Sequence, residues 1–502
     1  MISIYRHDEL TDRSIGAVKP LLSEVLFTSR ATDLSFAVVE ALATGVNLSG
    51  AYLAGLSLVG TKIKLTGVDF SECYFEGADL RDLDLSGANF AHAQFRQCNL
   101  AGAKLAKANF SHTHLVECDL STTDLTGATF YQAKLLTANF SGARLRKTNF
   151  RFASLESRGQ KPCLFDGATL TEIDFYKAVL SEFDLRKAAE IHGLNFGAAH
   201  FNFRCNLSGL TLGDCNFSGA EFRSCDLSRT DFSGASINNA RLETTILEGT
   251  NFSGANLTKS YLFNSELKAT IFRDADLSQA IFNRIEWTGV GDLAGAIFSR
   301  AELPGAYWAG LDLSGVNLAG ANLLKANLMH VNFSSANLAG AILTHAQLAG
   351  VNFSDCNLTG VILERVNLTA VDLGGAQLSK ARLANSDFRH ANLVGANLRE
   401  ADLTKTLFQD ALLISADFSG AKLAAANFSR ADLTNALLLG AHLTGTNFRA
   451  TNLSGANFAE SQLTKVDFMA ANLAWTNFQK VKLVDTDLRA GRGFDPAWLE
   501  NN

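Results

Sequence analysis

The stretch SGANFAHAQFRQCNLAGAKLAKANF, residues 86–110, contains the five-residue repeat that decides the fold. A large apolar residue, Phe or Leu, stands at every fifth position, and a small residue, Ala or Cys, stands two positions before it. The residue between them is polar. Small, polar, large is the inward, outward, inward alternation of an extended chain, and the two residues that follow supply a turn. Each pentapeptide therefore predicts one short straight side of a coil.

Phenylalanine recurs at intervals of twenty within this repeat, which continues from Asn47 to Leu488. Four pentapeptides then close one coil, and equivalent residues of successive coils lie above one another. The twenty-residue interval predicts that the phenylalanine rings stack in the core. The predicted ladder consists of Phe70, Phe90, Phe110, Phe130, Phe150, Phe388, Phe408, Phe428, Phe448 and Phe468.

The repeat resembles the pentapeptide-repeat family, as in ANFSG at 138–142 and ANLTK at 255–259. One such segment would carry no information, but this one recurs along most of the chain. The resemblance implies an all-β protein whose fold is a right-handed quadrilateral β-helix with four pentapeptides per coil. Because each coil of such a solenoid contacts only its neighbours, we predict one elongated β-helix over residues 47–490.

The two ends of the chain predict caps that cover the first and last coils. Within residues 1–46, PLLSEVLFTS and DLSFAVVEALATG carry apolar residues at helical spacing, with Asp33 as the N-cap and Gly45 as the stop. They predict a short helical N-terminal cap that consists of two short helices. Residues 491–502 predict a C-terminal cap in which Phe494 and Trp498 fold over the last coil. Uncovered strand edges would invite pairing with other chains.

The repeat is interrupted near 156–164 and near 186–203, and smaller bulges are predicted at Ile63 and at WTGVGDL, residues 287–293. ESRGQKP in the first interruption is too polar to supply an inward side chain, so it predicts a projecting loop. The second predicts a packed loop or one helical turn. Loops on a rigid scaffold commonly bind partners. The predicted interaction-loop residues are Arg158, Lys161, His192 and His200.

Composition restricts the location and partners of this 502-residue chain, whose net charge is −6 and pI about 6.0. The sequence contains no run of eighteen apolar residues, so it predicts no membrane-spanning helix. Residues 1–13 lack the basic and then apolar order of a secretory signal. We expect a cytoplasmic protein. A non-cleaved export signal of an injected effector would pass this test. Acids cluster within 69–84 and bases within 134–161, but no charge of one sign continues along the chain, so no direct nucleic-acid binding is expected.

Cysteine and histidine occupy opposite positions of the repeat. All eight cysteines stand at the small inward position, where a free thiol behaves as a small apolar residue, while most histidines stand at outward positions. Thiols and imidazoles therefore cannot share a metal on the regular lattice, and no metal or other cofactor is predicted. His92 and His112 would stack on adjacent coils, leaving an incomplete two-ligand site as a minor alternative.

Three functional hypotheses remain. The favoured one is a non-catalytic protein–protein interaction scaffold of bacterial type, either a secreted effector or an adaptor, that binds a protein partner through flat faces and loops. The low-charge stretch Gly305–Ser354 fits a flat contact surface. The second follows from the resemblance: some family members mimic DNA and bind DNA gyrase or another topoisomerase. The third, an enzyme built on His192, His200, Cys205 and Asp214, has little support because spacing alone does not assemble these residues.

Overall fold

The computed structural model describes residues 1–8, 21–157 and 161–495. These residues belong to two compact units, Met1–Ala255 (unit 1) and Asn256–Asn502 (unit 2). Each unit is a parallel β-solenoid in which residues twenty to twenty-five apart pair on neighbouring coils. The described part of the chain contains no helix long and apolar enough to cross a membrane.

The N-terminal cap is a β-hairpin followed by one helix, and not the predicted pair of helices. Strand β1 (Ile2–Asp8) pairs antiparallel with β2 (Leu21–Ser29), and helix α1 spans Leu34–Ala43. PLLSEVLFTS therefore forms a strand over most of its length. The helix begins as predicted, because the Asp33 side chain accepts a hydrogen bond from the Phe36 amide at 3.0 Å.

Strand pairing with the first coil explains why this segment is extended. The His7 amide donates to the Gly50 carbonyl at 2.9 Å, and the Tyr52 amide donates to the Tyr5 carbonyl at 2.7 Å. The edge of the first coil offers backbone groups that a strand can satisfy and a helix cannot. These tertiary hydrogen bonds outweigh the local helical spacing.

In unit 1, nine strands stack in parallel on one side of the solenoid, and two stack on another side. The stack on the first side, here called the long sheet, consists of β3 (Tyr74–Glu76), β4 (Gln94–Arg96), β5 (His114–Val116), β6 (Lys134–Leu136), β7 (Ser154–Leu155), β9 (Val179–Ser181), β11 (His200–Asn202), β12 (Glu221–Arg223) and β13 (Arg241–Glu243). The other pair is β8 (Thr169–Thr171) with β10 (Glu190–His192).

Unit 2 has the same repeat with fewer residues in regular strands. Its strands are β14 (Tyr261–Phe263), β15 (Ile281–Asn283), β16 (His442–Thr444), β17 (Gln462–Thr464) and β18 (Lys482–Val484), and a 3₁₀ turn spans Leu488–Ala490. Strand β14 pairs with β15, and β17 lies between β16 and β18. Single parallel bridges between outward residues connect the coils elsewhere.

The phenylalanines of the predicted ladder are buried and stacked in both units. In unit 1 the centroids of the Phe110 and Phe130 rings are 4.8 Å apart. In unit 2 the Phe428 ring lies 4.7 Å from Phe408 and 5.0 Å from Phe448. These centroid separations match the spacing of stacked strands, so each coil adds one ring to a continuous apolar column.

Outward Asn and Asp side chains hold the turns and link the coils. Asn89 Oδ1 accepts a hydrogen bond from the Ala91 amide at 3.2 Å, which fixes the turn that follows Phe90. The same oxygen accepts from Asn109 Nδ2 of the next coil at 3.0 Å. The outward position is therefore part of the scaffold, and its preference for Asn and Asp has a structural cause besides solubility.

The segment 186–203 is not an interruption, contrary to the sequence prediction. Phe196 stacks between Phe175 and Phe217, with both ring separations 5.1 Å, so the coil continues through it. One extra residue lies between Leu185 and Ile191, and a second lies between Phe201 and Leu207. Two single-residue insertions at corners together move the five-residue repeat by two positions along the sequence. A single long loop would produce the same displacement of the repeat.

The segment near 156–164 does lengthen one corner. Leu155 ends β7 on the long sheet, and Phe165 is the next large inward side chain, stacked 5.2 Å from Phe140. Residues 158–160 lie outside the described residues. At the C-terminal end, Phe494 packs edge-on against Phe478 with centroids 6.0 Å apart, and Trp498 lies outside the described residues.

All eight cysteines are buried and free. Burial raises the pKa of Cys73, Cys163 and Cys356 to about 12, so almost none of these thiols is ionised at pH 7. Since the thiolate is the nucleophile, we expect iodoacetamide to label few cysteines in the folded protein and all eight in guanidinium. Peptide mass spectrometry measures this labelling. Rapid labelling of Cys356 in the folded protein would contradict the inward assignment.

Candidate functional site

A concave site lies at the corner that follows the long sheet in unit 1. Its volume is about 640 Å³, and we call it the corner groove. The groove runs along the carboxyl ends of four stacked strands, β7, β9, β11 and β12. Its lining residues are Glu156, Ser157, Ser181, Glu182, Asn202, Phe203, Arg204 and Ser224.

Both irregular segments contribute to this groove, although they are far apart in sequence. Glu156 begins the lengthened corner after β7, and Phe203 and Arg204 lie in the single-residue insertion after β11. Strands β7, β9 and β11 are successive members of the long sheet, so corners that follow them lie along one edge. Parallel stacking therefore makes one site from two separate departures from the repeat.

Phe203 and Arg204 are held in an uncommon backbone conformation. Their φ angles are 43° and 54°, in the left-handed region that non-glycine residues rarely adopt. Each such residue costs on the order of 1–2 kcal/mol of local strain. The consequence is an outward-pointing ring: the Phe203 residue is 75% exposed. A large apolar side chain presented to solvent beside a groove is a typical binding anchor.

The charges of the groove are mixed. Glu182 and Arg204 line it, and neither has an ion-pair partner among the described residues. Glu156 adds a second carboxylate. The groove can therefore contact an apolar group at Phe203, accept hydrogen bonds at its carboxylates and donate them from the guanidinium.

A column of exposed and half-buried rings, which we call the aromatic edge, lies at the opposite border of the long sheet. The rings belong to turn residues of successive coils. His92 stacks on His112 at 4.6 Å, His112 meets Tyr131 edge-on at 5.7 Å, Tyr131 meets Phe152 at 5.6 Å, and Phe152 meets Tyr176 at 6.0 Å.

Two cations complete the aromatic edge. The Arg151 guanidinium lies 4.7 Å from the centre of the Tyr176 ring and forms an ion pair with Asp174 at 3.1 Å. Lys177 Nζ lies 5.6 Å from the Phe152 ring and 5.5 Å from the Tyr176 ring. Tyrosine and arginine are the residue types that most often dominate protein interfaces. Sequence reasoning missed this edge, although Tyr131, Phe152 and Tyr176 occupy turn positions of consecutive coils.

The predicted interaction-loop residues do not form one site. Lys161 is exposed at the lengthened corner, and Arg158 lies outside the described residues. His192 pairs with Asp214 beside β10. His200 lies on the long sheet, with Nδ1 3.2 Å from Glu221 Oε2.

The structure does not assemble the residues of the enzyme hypothesis. Cys205 lies inside the coil, where its thiol donates to the Leu180 carbonyl at 3.3 Å and to the Asn202 carbonyl at 3.2 Å. The two imidazoles are outside and face carboxylates. Within residues 1–8, 21–157 and 161–495, no group of three or more His, Cys, Asp and Glu side chains could hold a metal ion.

The low-charge stretch of unit 2 is a flat surface covered by amides. Asn352 donates to Asn332 at 3.1 Å, and Asn357 donates to Asn337 at 3.1 Å. These side chains are half-buried and hydrogen-bonded along the coils.

Family models agree with the repeat. A model of the pentapeptide repeat region matches residues 90–175, 194–272, 361–438 and 413–488, which together exceed half of the chain. A second model, of eight copies of the pentapeptide repeat, matches residues 63–102, 296–334 and 332–369. No curated protein matches the sequence.

Solved structures similar to this chain include two pentapeptide repeat proteins and one antibiotic resistance protein. HetL of the cyanobacterium Nostoc sp. strain PCC 7120, involved in heterocyst differentiation regulation, is 23% identical over 52% of this chain and 96% of its own, with a TM-score of 0.16. A thylakoid-lumen protein of Arabidopsis thaliana is 26% identical over 24% and 69%, with a TM-score of 0.16. QnrB1, a plasmid-mediated fluoroquinolone resistance protein, is 18% identical over 45% and 89%, with a TM-score of 0.17. TM-scores this low carry no functional argument.

Proposed function

Because this chain belongs to the pentapeptide repeat family, we propose that it is a non-catalytic scaffold that binds a protein partner across the long sheet of unit 1. The observation that carries the proposal is the placement of two irregular features on either side of one face. The aromatic edge borders the amino ends of the long-sheet strands, and the corner groove borders their carboxyl ends. A partner that covers this face can contact both.

The chemistry of the face favours a protein over a small molecule. Its two borders are separated by the length of one short strand, about 10 Å for three residues. The groove alone is open to solvent, whereas a small-molecule site usually encloses most of its ligand. Aromatic side chains, an arginine and a polar, charged rim form the usual composition of a protein interface. The eight free thiols fit a reducing compartment and support a cytoplasmic location.

A site-specific crosslinking experiment tests this proposal. A photoreactive amino acid is placed at Phe203, and in a matched control at Thr211, an exposed residue two sides further along the same coil. We expect a partner from a bacterial lysate to crosslink from position 203 and not from 211. After its identification, Phe203→Ala should weaken binding by about tenfold or more, because exposed aromatic anchors contribute over ~1 kcal/mol.

Other outcomes would relocate or overturn the interface. Equal crosslinking from 203 and 211, or unchanged affinity of both Phe203→Ala and Tyr131→Ala, would exclude the long-sheet face. Loss of binding only when Ser334, Ala339 and Thr344 become Glu would place the interface on the low-charge stretch of unit 2.

The second candidate is binding to DNA gyrase or another topoisomerase. The observation in its favour is the acidic group in the first coils of unit 1. Arg81 bonds Asp79, at 2.8 Å between Nη2 and Oδ2, whereas Asp69, Asp82 and Asp84 have no ion-pair partner among the described residues. A supercoiling assay with purified gyrase tests it. Inhibition or protection at stoichiometric protein, abolished when these three aspartates become Asn, would favour this candidate over the long-sheet scaffold.

A further inference from the structure

Two pairs of cysteines lie directly above one another inside unit 1. Cys98 and Cys118 occupy the same inward position on neighbouring coils, and so do Cys205 and Cys225. The residues that follow them form parallel bridges, Asn99 with Asp119 and Asn206 with Asp226, so each pair is in register. The expected Cα separation is therefore about 4.8 Å, one strand spacing. A disulfide requires 4.4–6.8 Å.

The two thiols of each pair also interact. Each thiol donates to a backbone carbonyl: Cys98 to Phe75 at 3.4 Å, Cys118 to Val116 at 3.4 Å, Cys205 to Leu180 at 3.3 Å and Cys225 to Phe201 at 3.5 Å. The neighbouring thiol of the pair shifts the pKa of Cys98, of Cys118 and of Cys225. The neighbouring thiol of Cys118 lowers the pKa of Cys98, while the neighbouring thiol of Cys98 and burial raise the pKa of Cys118. In the second pair, the contact with Cys205 raises the pKa of Cys225. The first pair thus places a thiol with a lowered pKa, Cys98, beside one with a raised pKa, Cys118.

The other four cysteines occupy the same kind of position without a thiol neighbour. Residues directly above and below them are Ala51 and Ala93 for Cys73, Ala138 and Phe183 for Cys163, Leu194 and Ala235 for Cys215, and Ala336 and Ala376 for Cys356. All four are buried. These four cysteines are an internal control, because they are buried like the paired cysteines but have no second cysteine directly above or below them.

We propose that Cys98–Cys118 and Cys205–Cys225 are redox-modification sites that close into cross-coil disulfides when a hydroperoxide enters. One sulfur attacks a peroxide oxygen, the O–O bond breaks, and one oxygen leaves as water, which gives a sulfenic acid. The second sulfur attacks the sulfenic sulfur, the S–O bond breaks, and the hydroxyl leaves with the second thiol proton as water. Two thiols and one hydrogen peroxide yield one disulfide and two waters.

The geometry makes these disulfides reversible. Side chains in register on parallel strands have Cβ atoms close to one strand spacing apart, slightly more than the 3.5–4.5 Å of a relaxed disulfide. A closed bridge is therefore strained, and strained disulfides are more easily reduced. We expect the reduced pairs to dominate in a reducing compartment and the bridges to form only under oxidant.

The test is thiol mapping of the folded full-length protein. The protein is treated with hydrogen peroxide, quenched, unfolded, alkylated and digested without reductant. We expect linked peptides 98–118 and 205–225, with the paired thiols lost about tenfold faster than the four isolated ones. Dithiothreitol should restore all eight. Circular dichroism during treatment confirms that the protein stays folded.

Cysteine variants distinguish disulfide formation within a pair from general oxidation of buried thiols. Cys118→Ala, the commonest residue at this position, should abolish the first link, leave the second, and allow a dimedone adduct on Cys98. Cys356→Ala should leave both links unchanged. Equal oxidation of paired and isolated thiols, or links between cysteines of different columns, would overturn the proposal.

Discussion

Replacing Phe428 by alanine is expected to lower the free energy of unfolding of unit 2 by about 3–5 kcal/mol. The Phe428 residue is fully buried, stacked between Phe408 and Phe448, and contacted edge-on by Phe418 at 5.6 Å. Truncation removes these contacts and leaves a cavity between coils held in place by backbone hydrogen bonds. Guanidinium denaturation followed by circular dichroism measures the loss.

Two controls define this result. Phe428→Leu keeps most of the volume and introduces the residue found at many other centres, so it should cost less than about 1.5 kcal/mol. Asn427→Ala removes the outward side chain whose Oδ1 accepts from the Ser429 amide at 3.0 Å, and it should cost about 1 kcal/mol. A larger loss for Asn427→Ala than for Phe428→Ala would reverse the inward and outward assignments.

A carboxylate at the small inward position is expected to be more damaging still. Ala426 is fully buried, and its column neighbours are Thr406 and Thr446. Their hydroxyls already donate to the Leu383 and Leu423 carbonyls, at 3.2 and 2.8 Å. Ala426→Asp would therefore bury a charge without a donor. A buried carboxyl of this kind has its pKa raised by up to 3–5 units, so it stays largely protonated at pH 7, and the proton that it must take up costs about 4 kcal/mol. Burying the neutral carboxyl without a hydrogen-bond donor adds about 1–3 kcal/mol.

The pH dependence of this variant follows from the direction of that shift. The carboxyl introduced by Ala426→Asp would hold its proton more tightly in the folded protein than in the unfolded chain, so the penalty is present above the folded-state pKa. This ionisation penalty disappears as pH falls below the unfolded value of about 3.9. The difference in free energy of unfolding between Ala426→Asp and the parent protein should therefore be smallest at pH 3–4. Asn427→Asp, which changes the adjacent outward position, should cost under about 1 kcal/mol, and similar losses at 426 and 427 would contradict the lattice.

The sequence could predict the solenoid and its core because both depend on a strict period. An inward Phe or Ala must recur at the coil spacing, and this requirement is visible without any structure. The hairpin over Ile2–Asp8 and Leu21–Ser29 could not be predicted in this way, since its extended form depends on hydrogen bonds to Gly50 and Tyr52. The helical spacing of apolar residues within PLLSEVLFTS contains no information on the hydrogen-bonding edge of the first coil.

The candidate binding face was harder to predict for a different reason. Turn residues such as Tyr131 and Phe203 are not restricted by the core, so nothing in their spacing distinguishes a ring that stacks from one that does not. Their juxtaposition depends on which corners receive extra residues. The prediction of one long interruption over 186–203 was wrong, because one long loop and two separate single-residue insertions shift the five-residue repeat by the same amount.

The two single-residue insertions also bear on how such a protein can change over generations. Phe175, Phe196 and Phe217 remain stacked although each coil between them has gained a residue. A codon gained at a corner thus leaves the stacking of the inward side chains intact and alters only the residues exposed at the surface of that corner. Selection can therefore act on corner length almost independently of folding, and a lineage can acquire a new ligand preference through small in-frame insertions without first acquiring compensating mutations in the core.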